Sequence, residues 1–326
     1  VNKKKQYIYY MIQTQINDKE LLEKLDNIEA DGMSIFVMAE GRYRGALFNG
    51  TKFINQMRAN HNLGILETMV LGQAYICAAL MIPTIKGRGR LTFRYDTNGP
   101  AAGFNVEADS LGTVRGYLLQ NPIPISAPLE SWDLAPFFGP GTLTISRISP
   151  EAKVPQIGSV EIKHKNIAQD LAWYFQQSEQ TQTAFNTSIQ FDKAGRVIGA
   201  GGMFLQRLPS TGGKIDQKES IDEEELVEAV EHAFSSAPSY GQWFAEKGNR
   251  EDIIYGLFRA MNPSVVLDRD IVFDCPCSEE KYTNAIKNLG KEEVQDIILN
   301  DPDPIEVICH NCGSVYNISK KSLTEE

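Results

Sequence analysis

Four of the five cysteines lie within the last 52 residues of the chain, where their spacing suits metal binding. They form two close pairs, Cys275-Pro-Cys277 and Cys309-His-Asn-Cys312, with 31 residues between the pairs. A structural zinc site has four ligands in a tetrahedron, and thiolate sulfur is a preferred ligand. Two pairs separated by a small folded insert can supply all four sulfur atoms. The spacing therefore predicts a zinc site with four thiolate ligands, Cys275, Cys277, Cys309 and Cys312.

Secondary-structure signals around the cysteines are compatible with such a site. The second pair is followed by Gly313, which can adopt the left-handed conformation of a knuckle turn whose backbone N–H groups point at the sulfur atoms. Strands are expected on either side of this pair, over 305–308 and 315–318. The insert between the pairs is expected to hold two helices, over 279–289 and 291–299. So short a segment buries little apolar surface, and a metal would hold it together.

Several interpretations of the cysteines stay open. The site could be a purely structural zinc ribbon. The spacing of Cys309 and Cys312 also occurs in dithiol oxidoreductases, but there the motif lies at a helix N-terminus, whereas a strand is expected after it here. His310 could be a ligand, although four cysteines favour a place for it outside the ligand set. Oxidation within each pair would remove the metal, and the segment would unfold because metal-binding free energy is folding free energy. The site could therefore be a redox switch.

Length, composition and charge limit the class of protein. A chain of 326 residues with 42% hydrophobic and 23% charged residues fits two folded domains. Residues 1–214 carry 22 Lys and Arg against 18 Asp and Glu, a net +4, whereas residues 215–326 carry 10 against 24, a net −14. An acidic tail is not expected to bind nucleic acid through phosphate contacts. With no run of 18 apolar residues and no secretory signal, we expect a cytoplasmic protein without a membrane span.

Strand patterns dominate the body of the chain, and the pattern as a whole predicts an α+β fold. Residues 209–222 have the composition of a linker, and two acidic amphipathic helices follow, one from residue 222 and one over 249–261. Near the N-terminus we expect a strand-like run over 7–15 and a helix over 18–28. In the body we predict helices over 49–60, 63–82 and 166–180, and strands over 34–39, 43–48, 90–95, 103–108, 114–119, 141–148, 160–165, 183–191 and 197–208.

Other motifs in the sequence are weaker indications of a functional site. The basic run Lys86-Gly-Arg-Gly-Arg90 could contact phosphate or nucleic acid, but the net charge favours a solvated loop. The run Gly199-Ala-Gly-Gly202 is similar to a dinucleotide-binding loop, yet a strand pattern follows it instead of a helix. Cys77 lies in an apolar helix pattern and is expected to be an inert core thiol. No P-loop motif is present, so ATP hydrolysis is not expected.

The sequence resembles a known family over about residues 33–322. The C-terminal stretches Cys275-Pro-Cys277-Ser-Glu-Glu-Lys, Asn288-Leu-Gly-Lys-Glu-Glu293 and Ile305-Glu-Val-Ile-Cys309 are similar to those of the redox-regulated heat-shock holdases, the 33 kDa chaperonin family. The body agrees in order, with Val114-Arg-Gly-Tyr117 and Gly201-Gly-Met-Phe-Leu-Gln206 among the matching stretches. Residues 1–32 lie outside the resemblance, and residues 215–265 are the least similar part.

The resemblance implies a β-rich N-terminal chaperone core over 33–214, a helical acidic linker over 215–268 and a zinc-binding redox-switch domain over 269–326, preceded by an extension over 1–32. It also implies an ATP-independent holdase that is not an enzyme. In the reduced state zinc keeps it inactive. Oxidation forms disulfides, here Cys275–Cys277 and Cys309–Cys312, releases zinc and unfolds the linker.

Further implications of the resemblance concern partners. Unfolding client proteins would bind to the oxidised form, which would be a homodimer. The main alternative from the residues alone is a zinc-ribbon protein that associates with RNA or the ribosome through the basic run 86–90. A third possibility is an oxidoreductase that uses the cysteine pairs.

Overall fold

The computed structural model describes residues 11–125, 131–209 and 223–324. These residues form two large antiparallel sheets, a C-terminal hairpin and the helices that cover them. The α-helices are α1 (Lys19–Asp26), α2 (Thr51–His61), α3 (Ile65–Met81), α4 (Ile167–Ser178), α5 (Glu223–Ser235), α6 (Tyr240–Ala245), α7 (Arg250–Leu257), α8 (Glu279–Lys287), α9 (Lys291–Asn300) and α10 (Lys320–Thr324).

The strands follow the alternation of apolar and polar residues in the body of the chain. In chain order they are β1 (Gly32–Met38), β2 (Tyr43–Asn49), β3 (Arg90–Thr97), β4 (Gly103–Asp109), β5 (Thr113–Leu118), β6 (Gly141–Ile148), β7 (Gln156–Glu161), β8 (Thr183–Phe191), β9 (Val197–Arg207), β10 (Ser264–Arg269), β11 (Val272–Phe273), β12 (Ile305–Ile308) and β13 (Val315–Ile318).

The five-stranded sheet has the order β10-β1-β2-β9-β8 and is antiparallel throughout. Because successive side chains of a strand point to opposite faces, apolar residues at consecutive positions bury both faces. In β2, Ala46 and Phe48 belong to the large central core, whereas Tyr43 and Leu47 belong to a second core on the other face. Both faces of this sheet therefore need a cover.

The six-stranded sheet has the order β11-β5-β4-β3-β6-β7, and its strands are antiparallel except for the parallel pair β11 and β5. Its inner face carries fully buried aromatic residues, among them Phe93, Tyr95 and Phe104. Tyr95 stacks on Phe104 with ring centroids 5.4 Å apart, and its hydroxyl donates to the buried carboxylate of Asp170 at 2.8 Å. This sheet forms the opposite wall of the central core.

Helix α3 lies between the two sheets and contacts strands of both. In the described part of the chain, the helical stretch 65–84 is the one long and apolar enough to cross a membrane, and 89% of its apolar window is buried. Burial on nearly all sides accounts for that apolar character, because a helix in the middle of a core has no polar face. Cys77 lies in this helix with no exposed surface, as expected, and burial raises the pKa of its thiol.

Helices α5, α6 and α7 cover the second face of the five-stranded sheet. Tyr240, Phe244, Ile254 and Phe258 have no exposed surface and pack in the second core, against strand residues such as Phe36. Phe36 and Phe258 stack with ring centroids 5.6 Å apart. The acidic helices predicted after residue 222 are thus a packed layer over an apolar sheet face.

Two glycines let the backbones of helix α6 and strand β9 come into direct contact. A Cβ added at Gly199 would overlap the carbonyl oxygen of Gly241, and one added at Gly241 would lie 2.9 Å from the carbonyl oxygen of Gly199. The run 199–202, which is similar to a dinucleotide loop in sequence, is therefore part of a strand whose small residues make room for a helix.

The structure confirms the α+β class and most predicted elements, with a few differences. Strand β7 begins at residue 156 rather than 160, and the short helix α6 was not predicted. Strand β10 falls in the segment predicted as a helical linker and pairs with β1 as an edge strand of the five-stranded sheet. Its sequence, Ser-Val-Val-Leu-Asp-Arg, is rich in residues that favour strands. The strand-like run expected over 7–15 starts outside the described residues, and residues 11–15 form no strand.

Replacing Gly199 by alanine tests the contact between α6 and β9. We expect Gly199→Ala to lower the free energy of unfolding by about 1–3 kcal/mol, because the new methyl group meets rigid backbone. The measurement is urea unfolding, followed by tryptophan fluorescence, with hydrogen exchange of α6. Gly256→Ala is the control, since a Cβ there meets nothing within 4 Å and alanine favours the helix. Equal stability of the Gly199 variant and wild type would contradict the packing described.

Candidate metal centre

The first cysteine pair directly follows strand β11, which holds it against the central core. Phe273 ends this strand and is buried next to Tyr75, with ring centroids 5.8 Å apart. The buried carboxylate of Asp274 accepts a hydrogen bond from the backbone N–H of Cys275 at 2.9 Å. Helix α8 begins just after Cys277, and its N-cap Ser278 accepts a hydrogen bond from the N–H of Lys281. Both ends of this cysteine pair are thereby fixed.

The second pair lies in the turn between strands β12 and β13. The N–H groups of Cys312 and Gly313 both donate to the carbonyl oxygen of Cys309, at 3.3 and 2.7 Å. Gly313 has a φ of +70°, so the predicted left-handed conformation is confirmed. The N–H of Cys309 donates to the carbonyl oxygen of Ser314 at 2.9 Å, which closes the turn. The hairpin and the turn together present both sulfur atoms on one side.

The four sulfur atoms converge, as the spacing predicts. All lie within 4.8 Å of one another, and all four residues are buried. Two of the separations are 3.9 Å, between Cys275 and Cys309, and 3.4 Å, between Cys277 and Cys312. A tetrahedral zinc ion with zinc–sulfur bonds of about 2.3 Å separates its ligands by about 3.8 Å. A metal ion could therefore be held by Cys275, Cys277, Cys309 and Cys312, and their sulfur atoms and spacing fit zinc.

The surroundings of the cluster favour thiolates at two of the cysteines. A hydrogen bond from the Cys275 thiol lowers the pKa of Cys277 to about 7. A hydrogen bond from the same thiol also lowers the pKa of Cys309. The hydroxyl of Tyr316 lies 3.1 Å from the sulfur of Cys277, and burial raises the pKa of that hydroxyl, so it stays a donor. Thiolate is the form that binds metals and reacts with oxidants.

The cysteine cluster is docked on the central core rather than separate from it. The N–H of Gly116 in strand β5 donates to the carbonyl oxygen of Asn311 at 2.9 Å. The side-chain amide of Asn60, at the end of helix α2, donates to the carbonyl oxygen of Cys312 at 3.1 Å. A Cβ added at Gly313 would overlap the carbonyl of Asn60, so glycine also permits this close approach. The turn that carries Cys309 and Cys312 therefore contacts both helix α2 and strand β5.

Two histidines, His61 and His310, lie near the cluster. Neither belongs to the group of possible metal ligands found among the described residues. His310 is exposed and packs edge-to-face on Tyr117 with ring centroids 5.6 Å apart. His61 lies beside Phe273 with centroids 6.1 Å apart, and burial lowers its pKa to about 4. The expectation that His310 lies outside the ligand set agrees with this arrangement.

The other candidate site residues lie in ordinary structural positions. Lys86, Arg88 and Arg90 of the basic run are exposed where the chain enters strand β3. The run 199–202 lies inside β9, with no helix N-terminus at its end. The run 199–202 therefore lacks the strand–turn–helix arrangement of a dinucleotide-binding loop.

The residues that support the cluster were not predicted from the sequence. Ser314, Asp274 and Asn60 are buried polar residues whose hydrogen bonds fix the cysteine-bearing turns, yet nothing in their spacing relates them to the cysteines. The sequence signal is proximity to a cysteine, since Asp274 precedes Cys275 and Ser314 lies two residues after Cys312. Asn60 lies about 250 residues from the pair it contacts, and only the fold brings it there.

Comparisons with known proteins place the chain in a family. The family model described as Hsp33 protein matches residues 31–319. A 33 kDa chaperonin from Desulforamulus reducens is 30% identical over 288 residues, which cover 88% of this chain and 94% of that protein. A 33 kDa chaperonin from Aquifex aeolicus is 29% identical over 306 residues, which cover 91% of this chain and 90% of that protein.

A solved structure shows the same fold. The crystal structure of the 33 kDa chaperonin of Thermotoga maritima, a heat shock protein 33 homologue, superposes with a TM-score of 0.78 at 29% identity. The match covers 90% of this chain and 97% of the other. Since the family model spans nearly the whole chain and the relatives match over most of their length, the protein belongs to the Hsp33 family.

Proposed function

We propose that this Hsp33-family chaperone is a redox-regulated holdase that binds unfolding proteins without ATP, and that its four C-terminal cysteines are both the zinc ligands and the redox switch. One observation carries the proposal, namely the convergence of four buried sulfur atoms on a segment with little core of its own. Zinc on Cys275, Cys277, Cys309 and Cys312 would hold this segment folded in the reduced protein.

The C-terminal segment depends on such a centre for energetic reasons. Its separate core has three buried apolar residues, Ile305, Ile318 and Leu323, and neither α8 nor α9 has a buried residue. Burial of one such side chain contributes about 1.5–3 kcal/mol, whereas a structural zinc contributes about 10–16 kcal/mol in zinc-finger peptides. Loss of the thiolate ligands would therefore remove the largest single contribution to folding of this segment.

Oxidation supplies the switching step. In each pair two thiolates give two electrons to a peroxide, one S–S bond forms, the O–O bond breaks, and two protons from the solvent complete two water molecules. The pairs expected from the family are Cys275–Cys277 and Cys309–Cys312. Four sulfur atoms bound in two disulfides no longer offer thiolate ligands, so zinc leaves the site.

The surface exposed by this step would be the second face of the five-stranded sheet. Strand β10 joins the helical layer to the cysteine segment, because it follows α7 and directly precedes β11 and Cys275. Once the cysteine segment unfolds, β10 and helices α5 to α7 would lose their link to it and would be held only by the pairing of β10 with β1 and by the second core. Their departure would expose the side chains of Phe36, Leu47 and Met203, which now lie in the second core. An apolar sheet face of this kind suits unfolding client proteins.

The proposal includes the division of the chain inferred from the sequence: an extension over 1–32, a chaperone core over 33–214, an acidic linker over 215–268 and a zinc-binding domain over 269–326. It also includes a cytoplasmic location, a homodimer as the oxidised form and the absence of enzymatic activity. The acidic residues of the linker would keep the exposed form soluble, because residues 215–268 carry 12 Asp and Glu against 4 Lys and Arg, a net charge of −8.

Titration of the reduced, zinc-loaded protein with peroxide tests the switch. We expect two equivalents of peroxide to remove four thiols and to release one zinc ion, while suppression of client aggregation rises in parallel. Thiols are counted with a chromogenic disulfide reagent under denaturing conditions, and zinc with a chromophoric chelator. Equal suppression by the reduced and oxidised proteins, with zinc still bound, would exclude the switch.

Removal of one ligand should partly mimic oxidation. Loss of a residue that hydrogen-bonds to a metal ligand typically weakens metal binding by roughly 10–100-fold. We expect Cys277→Ser, which removes a ligand itself, to weaken zinc binding by more than this and to raise holdase activity in the reduced state. Cys77→Ala is the control, since it removes a buried thiol from α3 and leaves the cluster intact. The readouts are zinc affinity, aggregation suppression and hydrogen exchange over 223–261. If exchange in that segment matched wild type despite zinc loss, the link between the metal centre and the helical layer would be wrong.

A further inference from the structure

We infer that residues 11–17, which precede the part matched by the family model, form a strap that holds the cysteine segment on the core and so raises the resistance of the switch to zinc loss and oxidation. The inference rests on the proposed function for its regulatory meaning. Its structural basis is independent and lies in three sets of contacts.

The first set joins the strap to the cysteine segment. The backbone N–H of Ile12 donates to the hydroxyl of Ser314 at 3.1 Å, and that hydroxyl donates to the carbonyl oxygen of Ile12 at 3.0 Å. Ser314 is buried, and its oxygen also lies 3.1 Å from the sulfur of Cys312. The N–H of Met11 is 3.4 Å from the carboxylate of Asp274, next to Cys275. The strap thus contacts both cysteine-bearing turns.

The second set joins the strap to helix α2. The side chain of Asn60 accepts a hydrogen bond from the N–H of Thr14 at 3.1 Å and donates to the carbonyl oxygen of Ile12 at 2.8 Å. The same amide nitrogen donates to the carbonyl oxygen of Cys312. Gln56 donates to the carbonyl oxygen of Thr14 at 2.9 Å. One buried asparagine therefore connects core, strap and cysteine turn.

Side-chain burial supports these hydrogen bonds. Met11 is 5% exposed and belongs to the same buried cluster as Cys275 and Cys312. The next side chain, Ile12, is 50% exposed and takes no part in that cluster. Departure of the cysteine segment would expose the apolar surface of Met11 and leave the hydrogen-bonding groups of the strap without these partners.

The third set anchors the strap at its other end. Helix α1 begins at its N-cap Asp18, whose carboxylate forms an ion pair with Arg196 at 2.7 Å, and this pairing lowers the pKa of Asp18. Lys24 pairs with Asp192 at 2.8 Å, and Leu21 and Leu25 are buried. Because α1 is fixed to the β8–β9 hairpin, residues 11–17 extend from a fixed point across α2 to the cysteine turns.

Matched aspartate substitutions in the full-length protein test the strap. Met11→Asp places a charge in the buried cluster beside Asp274, which should release the strap, whereas Ile12→Asp places the same charge on an exposed side chain one residue away. The first readout is hydrogen exchange of the Gly116 amide in the reduced protein, because its acceptor is the carbonyl of Asn311 in the cysteine turn. The second is the rate of zinc transfer to a chelator.

We expect Met11→Asp to accelerate both processes about tenfold or more, since it removes at least two hydrogen bonds of about 1 kcal/mol each, and Ile12→Asp to leave both within about twofold of wild type. Ser314→Ala should accelerate both in the wild-type background and combine with Met11→Asp less than additively, because both substitutions remove the contact between Ser314 and the strap, whereas only Ser314→Ala also removes the contact with the sulfur of Cys312. Circular dichroism of each variant confirms that the core is folded.

The outcomes separate the strap from the proposed function. Gly116 exchange and zinc transfer that are the same in Met11→Asp and Ile12→Asp would overturn the strap while leaving the switch intact. Additive effects of Ser314→Ala and Met11→Asp would also overturn it. If the protein failed to suppress aggregation in either redox state, the holdase proposal would fall, and Gly116 exchange would still decide whether residues 11–17 hold the cysteine segment in place.

Discussion

The rest of the structure depends on the burial of both faces of the five-stranded sheet. Strands β1, β2 and β9 carry apolar residues at consecutive positions, so neither face can be left in water without loss of stability. One face packs on α3 and the second sheet. The other is covered by helices α5 to α7, which follow the sheet strands in sequence and which the chain connects through β10 to the cysteine segment. The helices that cover this face are therefore connected to the cysteine cluster by a short stretch of chain.

The metal centre is placed where three parts of the chain meet. The cysteine turns lie against α2 and β5 of the core, through Asn60 and Gly116, and against residues 11–14 of the N-terminal segment. Departure of the cysteine turns would remove contacts with all three of these parts. The separate hydrophobic core of the C-terminal segment is too small to replace them.

Much of this architecture could be predicted from the sequence, for physical reasons that are local. The periodicity of apolar residues located α3, α4 and most strands, and the cysteine spacing located the cluster. Caps were also predictable where one side chain defines the end of a helix, as Ser278 does for α8. The resemblance to the 33 kDa chaperonins supplied the proposed function, whereas the cysteine spacing alone left open a structural site, an oxidoreductase and a switch.

What could not be predicted depends on contacts between distant residues. Strand β10 is short, and its pairing with β1 joins residues more than 200 positions apart. The role of Asn60 requires knowledge of where α2 ends relative to the cysteine turn. The N-terminal segment was predicted only to be an extension outside the resemblance. In the structure Met11 is buried and the N–H of Ile12 donates to Ser314, because a chain without regular structure satisfies its backbone groups wherever partners are available.

The central claim is that the cysteine cluster controls the helical layer over the second sheet face. Hydrogen exchange with mass spectrometry, on the reduced zinc-loaded protein and on the fully oxidised protein, tests it most directly. Peptides from 223–261 and from 269–324 are expected to lose protection on oxidation, while peptides from strands β3 to β6 keep theirs. Retained protection over 223–261 in an oxidised protein that has lost its zinc would contradict it.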